Sequence, residues 1–149
     1  MRTAAGEIQR QFLWRDIMKA DRKFIFEYAK ENYGTEPEYM WESTPDAGVL
    51  RHVHNRKWYG LVMSVSRKTL GIDGDGCTDI LNVKCEPEIL GSFLMKEGYL
   101  PAYHMNKNHW ITILLDGTVS ADEAVMLLER SFELTWGKKV RKKREIFSE

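Results

Sequence analysis

The alternation of side chains from Lys57 to Ser66 is the feature that most constrains the fold of this chain. After Lys57, one set of alternate positions is wholly apolar and comprises Tyr59, Leu61, Met63 and Val65. The other set is mixed and comprises Trp58, Gly60, Val62 and Ser64. A period of two residues is that of a β-strand, whose successive side chains point to opposite faces. We therefore predict a central strand here, with one face packed against helices.

Start and stop signals predict two helices on either side of this strand. Asp21 is placed to cap a helix over residues 22–33, which Gly34 would end. Pro87 stands at the first position of a second helix, which Gly98 would close. Both are expected to turn an apolar stripe towards the sheet.

A third helix is predicted from a capping box. Ser120 and Glu123 have the spacing at which a hydroxyl caps the backbone N–H three residues later. Gly137 would end this helix. Its inward-facing residues are predicted to be Ala124, Val125, Leu128 and Phe132.

Further strand-like runs complete an α+β pattern. They cover 49–54, 79–85, 100–104 and 109–115. In the second of these, alternation places Lys84 on the face opposite Leu81, Val83 and Cys85, so Lys84 should point outward. Strand runs flanked by helices favour a two-layer sandwich, with an antiparallel sheet of about five strands and helices packed on one face.

Composition bounds the class of protein. With 149 residues, of which 43% are hydrophobic, the chain can form one domain with its own core. Its longest apolar run, Ala124 to Leu128, is too short for a membrane span, and the charged N-terminus does not resemble a signal peptide. Cys77 and Cys85 are interpreted as free thiols, which favours a cytoplasmic location.

Charge is balanced overall but uneven along the chain. Residues 138–149 carry six basic and two acidic side chains, whereas residues 1–137 carry 16 basic and 20 acidic ones. Nucleic acids are bound largely by neutralisation of their phosphates. To bind them, this protein must concentrate the positive charge of the net acidic residues 1–137 on one face, or rely on the basic residues 138–149.

Histidine, cysteine and loop patterns indicate no metal, cofactor or catalytic site. His52 and His54 lie two apart on a predicted strand, but two imidazoles do not make a zinc site, and we interpret them as surface positions. The Asp73–Gly76 stretch lacks the glycine and glutamate that a calcium loop needs. No base is evident for Cys77 or Cys85, so no enzymatic activity is predicted.

Residues 101–110 combine polar donors with aromatic rings between two apolar strands. One interpretation is a plain turn, in which Asn106 to Asn108 reverse the chain while Tyr103 and Trp110 pack. The other is a ligand surface, in which Lys107 and His104 meet phosphate and an aromatic ring stacks on a base.

Several separated motifs closely resemble the MmcQ/YjbR family of small bacterial proteins. The resemblance covers about residues 21–136. Its motifs are Lys57-Trp58-Tyr59, Asn82 to Glu88, Tyr103 to Trp110 with the pattern Tyr-His-Met-Asn-Lys-x-His-Trp, and Ser131-Phe132-Glu133-Leu134.

This resemblance implies an α-β(3)-α-β(2)-α fold, similar to that of secretion chaperones and of CyaY-like, frataxin-type proteins. It also implies DNA binding, without metal or cofactor. The chain would divide into an N-terminal helical extension (1–20), a family domain (21–137) and a basic tail (138–149). The positions that carry the binding role over to this chain are Lys57, Lys84, His104, Asn106, Lys107, His109 and Trp110.

Two other functions stay open. The N-terminal helix, with Phe12, Leu13, Trp14 and Ile17, offers apolar surface to a protein partner or to a second copy of the chain in a homodimer. A small-molecule binder or an enzyme that uses His104 and His109 is the third alternative.

Overall fold

The structure is a computed structural model that describes residues 19–137. The predicted N-terminal helix and the basic tail lie outside these residues, apart from Lys19 and Ala20, which precede the first helix. Lys19 forms an isolated antiparallel bridge with Ser120. The described part therefore corresponds closely to the predicted domain of residues 21–137.

The described chain forms four helices and six strands. In chain order they are α1 (Arg22–Tyr33), β1 (Glu38–Tyr39), β2 (Gly48–Arg51), β3 (Trp58–Ser66), α2 (Arg67–Leu70), β4 (Cys77–Lys84), α3 (Pro87–Leu94), β5 (Tyr99–Pro101), β6 (Trp110–Leu114) and α4 (Ala121–Leu134). The strands form one antiparallel sheet in the order β1-β2-β3-β4-β6-β5. The predicted α+β class with an antiparallel sheet is confirmed, with an added two-residue edge strand β1 and a one-turn helix α2.

Capping chemistry explains where the long helices begin and end. The carboxylate of Asp21 accepts the N–H of Phe24, and Gly34 ends α1 with a φ of 63°, in the left-handed region that glycine tolerates best. The hydroxyl of Ser120 accepts the N–H of Glu123 at the start of α4. The carboxylate of Glu123 bonds Lys96 and the Tyr99 hydroxyl.

The main core lies between one face of the sheet and helices α1, α3 and α4. Its strand residues include Leu50, Val62, Leu81, Val83, Ile111 and Ile113, each fully buried. The opposite face, which we call the open face, carries no long helix within residues 19–137. Smaller clusters there are built around Leu61 and Ile80, and Leu70 of α2 packs on the second of them.

A β-bulge changes the predicted facing of β3. Leu50 pairs with Gly60 whereas Arg51 pairs with Trp58, so Tyr59 is an extra residue opposite the shorter strand β2. Tyr59 consequently joins the helix-side core while Leu61 and Met63 face the open side. The sequence prediction that put Tyr59 and Leu61 on one face was wrong, because strict alternation cannot account for an inserted residue.

Candidate nucleic-acid interface

The end of the open face combines a lysine with two indole rings. Lys84 is the last residue of β4 and pairs directly with Trp110, the first residue of β6. Trp58 begins the neighbouring strand β3 at the same end of the sheet and packs on the open-face cluster around Leu61. Alternation, which puts Val83 and Cys85 in the helix-side core, turns Lys84 to the open face, as predicted.

The loop of residues 102–109 is held against the open face by a buried polar network. The Nδ2 group of Asn82 donates to the carbonyl oxygen of Tyr103 over 3.0 Å. The hydroxyl of Thr112 donates to Oδ1 of Asn82 and accepts the N–H of Tyr103 over 2.9 Å. Asn82 and Thr112 are both 0% exposed. The loop is thus anchored to two sheet strands by side chains with no access to water.

Within the loop, Asn106 makes the turn that the sequence suggested. Its backbone oxygen accepts the N–H groups of His109 and Trp110 over 3.2 and 2.9 Å, and its Oδ1 accepts the N–H of Asn108. The Nδ2 group of the exposed Asn106 remains as its donor for a ligand. The carbonyl of His109 accepts the N–H of Cys85, which joins the loop to β4.

His104 lies at the outer side of the same loop. Its φ of 57° is in the left-handed region, and its ring stacks on Tyr103 with 4.0 Å between centroids and 10° between planes. His104, Lys107 and His109 are exposed. We name the set formed by Trp58, Lys84, Trp110 and loop 102–109 the sheet-end surface.

The basic residues divide into paired and unpaired groups. Seven of the thirteen within residues 19–137 form ion pairs: Arg22, Lys30, Arg51, Arg56, Arg67, Lys96 and Arg130. The other six have no carboxylate partner in the described part of the chain, and they are Lys19, Lys23, Lys57, Lys68, Lys84 and Lys107. All three lysines predicted for the site belong to this second group.

The sheet-end surface holds six of the seven predicted site residues. Lys84, His104, Asn106, Lys107, His109 and Trp110 share one end of the sheet and its loop. Lys57 lies in the turn between β2 and β3, next to Trp58, and its charge acts on His52.

An aromatic and basic cluster next to Trp58 was missed by sequence analysis. The guanidinium of Arg51 lies 5.5 Å from the Trp58 ring centre, and Trp41 meets Trp58 edge to face at 5.9 Å. Arg51 is also 3.4 Å from the Glu38 carboxylate, which offsets its charge. Arg51 ends β2 and pairs with Trp58 at the start of β3, whereas Trp41 follows β1, so the cluster forms only when the three strands pair.

The interpretation of His52 and His54 as surface strand positions was wrong for His52. β2 ends at Arg51, and the His52 ring is 1% exposed between Phe132 and Tyr59, with centroid distances of 4.2 and 5.1 Å. His54 is exposed. The two rings are 5.2 Å apart, yet no group of three or more metal-ligating side chains occurs within residues 19–137.

His52 should make the folded protein sensitive to mild acid. Burial, with the positive charges of His54 and Lys57, lowers the pKa of His52 to about 4. Below a pH of about 6.5 the unfolded chain takes up a proton that the folded chain excludes, so stability falls as pH falls from there towards 4. We expect the wild type to lose about 2 kcal/mol more unfolding free energy than His52→Gln between pH 7 and pH 5.

Urea denaturation at the two pH values measures this difference. His109 provides the matched control, because it is exposed and is not among the groups that shift His52, so His109→Gln should keep the wild-type pH dependence. Parallel pH dependence of the wild type and His52→Gln would contradict a neutral, buried imidazole.

The two cysteines are unpaired and differ in access. Cys77 is exposed, whereas Cys85 is 1% exposed and burial raises the pKa of its thiol. A raised thiol pKa disfavours the thiolate, the reactive form. No helix in residues 19–137 is long and apolar enough to cross a membrane.

Comparisons with known proteins agree on the family. A family model described as YjbR matches residues 31–134. Over 114 residues the chain is 51% identical to YyaQ of Bacillus subtilis (strain 168), described as an uncharacterized protein; the match covers 76% of this chain and 97% of YyaQ.

Solved structures support the same fold. A crystal structure of a Pseudomonas syringae protein superposes with a TM-score of 0.75 at 46% identity, covering 77% of this chain and 98% of that one. A Deinococcus radiodurans protein shares the fold with a TM-score of 0.63 at 22% identity, covering 85% of this chain and 88% of that one. The family model matches most of the chain, and this chain matches the relatives over nearly their whole length. This chain therefore belongs to the YjbR family, which is the MmcQ/YjbR family that the sequence motifs indicated.

Proposed function

We propose that this protein acts by binding, without catalysis, and that its ligand is single-stranded nucleic acid held on the sheet-end surface. The observation that carries the proposal is the position of Lys84, directly opposite Trp110 in the β4–β6 ladder, which puts both side chains on the open face. An ammonium group next to an aromatic ring suits a phosphate next to its base. The two unpaired cysteines are consistent with action in the cytoplasm, where thiols stay reduced.

Local charge supports this choice of surface. Residues 98–115 contain no carboxylate, whereas the described chain as a whole has 13 basic and 18 acidic residues. A phosphate that contacts Lys107, His104 or His109 therefore meets no carboxylate from this segment. On an otherwise acidic body, this stretch can approach phosphates with the least repulsion.

A single strand fits this surface better than a duplex. Its bases are unstacked and can lie on Trp110, Trp58 or the Tyr103–His104 pair, whereas duplex bases are covered. A duplex would also present two charged backbones to an acidic protein. With Lys84 and Lys107 as main contacts, we expect weak binding, with a dissociation constant of roughly ten micromolar at low salt.

Exchange of one lysine tests the assignment. We expect Lys84→Gln to weaken binding of a thymidine oligonucleotide of about 12 nucleotides by about tenfold, because a phosphate loses its charged partner. The slope of log affinity against log salt should become shallower by about 0.7. Fluorescence anisotropy with a labelled oligonucleotide measures both quantities.

Lys68→Gln is the matched control. Lys68 is an exposed and unpaired lysine of α2, which follows β3 at the opposite end of the sheet. The contribution of the basic tail to binding is measured with a full-length variant, in which the six lysines and arginines in 138–144 are replaced by glutamine. The proposal fails if Lys84→Gln and Lys68→Gln bind alike, or if the neutral tail abolishes binding altogether.

A further inference from the structure

A cleft on the helix side of the sheet is separate from the sheet-end surface. It has a volume of about 590 Å³ and opens between the end of α1, the turn after β2 and the end of α4. Its lining includes Asn32, Tyr33, His52, His54, Phe132 and Trp136. The volume lies within the range of small-molecule sites, and the walls are mainly aromatic, as such sites commonly are.

The rings of the cleft are arranged in near-parallel or tilted pairs. Tyr33 and Phe132 stack with 3.8 Å between centroids and 7° between planes. His54 and Trp136 lie 4.2 Å apart at 46°. These ring pairs contact each other directly, so a guest packs against the outer side of a pair, and such mainly aromatic walls favour a flat, apolar guest over a highly charged one.

Hydrogen bonding defines the chemical state of His52. The hydroxyl of Thr135 donates to the carbonyl of Ser131 over 2.7 Å, so it must accept from Nε2 of His52, which is 2.7 Å away. Nε2 therefore carries the proton and Nδ1 carries a lone pair. Nδ1 is buried and has no hydrogen-bond partner among residues 19–137. A buried acceptor without a donor is costly, and a ligand that supplies the donor recovers that cost.

We propose that this cleft binds a small, planar, uncharged aromatic molecule whose N–H or O–H group donates to Nδ1 of His52. A cation is disfavoured because the charge of Lys57 already acts on His52. Nδ1 has no contact with solvent, so binding requires the cleft to widen next to His52, which is one of its lining residues.

Indole and 1-methylindole are the matched probes, because they share shape and apolarity while only indole has an N–H donor. We expect indole to bind the full-length chain with a dissociation constant of about one millimolar, as suits a fragment of nine heavy atoms. 1-Methylindole should bind about tenfold more weakly, because the Nδ1 lone pair stays unsatisfied. NMR of ¹⁵N-labelled histidine rings measures both affinities and reports the Nδ1 signal of His52 directly.

The expected result is a shift of the His52 Nδ1 signal towards the value of a hydrogen-bonded nitrogen, with indole only. His109→Gln, at an exposed histidine outside the cleft lining, should leave this response intact. Equal affinities for the two probes, or indole binding without a change at His52, would overturn the proposal. A chain ending at Gly137 provides the last arm: if it binds indole and the full-length chain does not, residues 138–149 fill the cleft and the proposal is wrong.

Discussion

Asn82→Ala is expected to lower the free energy of unfolding by about 3 to 4 kcal/mol. The side chain is 0% exposed and bonds both the Tyr103 carbonyl and the Thr112 hydroxyl. Its removal leaves these two polar groups without their partner in a dry site and creates a small cavity. Chemical denaturation of the variant and the wild type measures the loss.

The same change should also weaken oligonucleotide binding, because it frees the loop that carries His104 and Lys107. Asn32→Ala is the control for the amide itself: Asn32 is exposed on α1, and its amide donates to the Tyr28 carbonyl of its own helix. Its effect on stability should stay within about 0.5 kcal/mol. A similar small effect for Asn82→Ala would show that the loop is not anchored as described.

Ser131→Ala is expected to cost about 3 kcal/mol. The Ser131 hydroxyl accepts the N–H of Lys84 over 2.8 Å and donates to the carbonyl of Tyr59 over 2.6 Å. It thus bridges, from helix α4, the backbones of β3 and β4 beyond their last ladder pair, Leu61 and Asn82. Without it, two backbone groups lose their partner inside the protein, where Ser131 is 0% exposed.

Thermal and urea denaturation of Ser131→Ala measure this effect. Ser92→Ala offers the same chemical change at an exposed position of α3 and should alter stability by less than about 0.5 kcal/mol. If both alanine variants unfold at the same urea concentration, the bridging role of Ser131 is refuted. Because Ser131 holds the backbone of Lys84, its loss should also reduce oligonucleotide affinity.

The helix starts were predictable because capping signals are local. Two predicted helix ends were wrong: α3 ends at Leu94 and α4 at Leu134, each before the predicted glycines Gly98 and Gly137. Asp21 and Gly34 cap α1 at the predicted bounds, and Ser120 starts α4 as expected. The outward direction of Lys84 followed from alternation along β4, since the pattern there is unbroken. These features depend on residues within a few positions of one another, which a sequence displays directly.

Features made by distant residues could not be predicted in the same way. The bulge at Tyr59 depends on the pairing of β3 with β2, and the burial of His52 depends on Phe132 and Thr135, about 80 positions later. Charge and spacing alone do not contain that information.

Mapping an oligonucleotide onto the backbone by NMR tests the central claim most directly. The full-length chain with the uncharged tail is titrated with an oligothymidine strand, and amide shifts are followed residue by residue. We predict that the largest shifts occur at Lys84 and in residues 103–110, and that they diminish with added salt. Shifts spread over other surfaces, or no shift at the sheet-end surface at saturating oligonucleotide, would contradict the account.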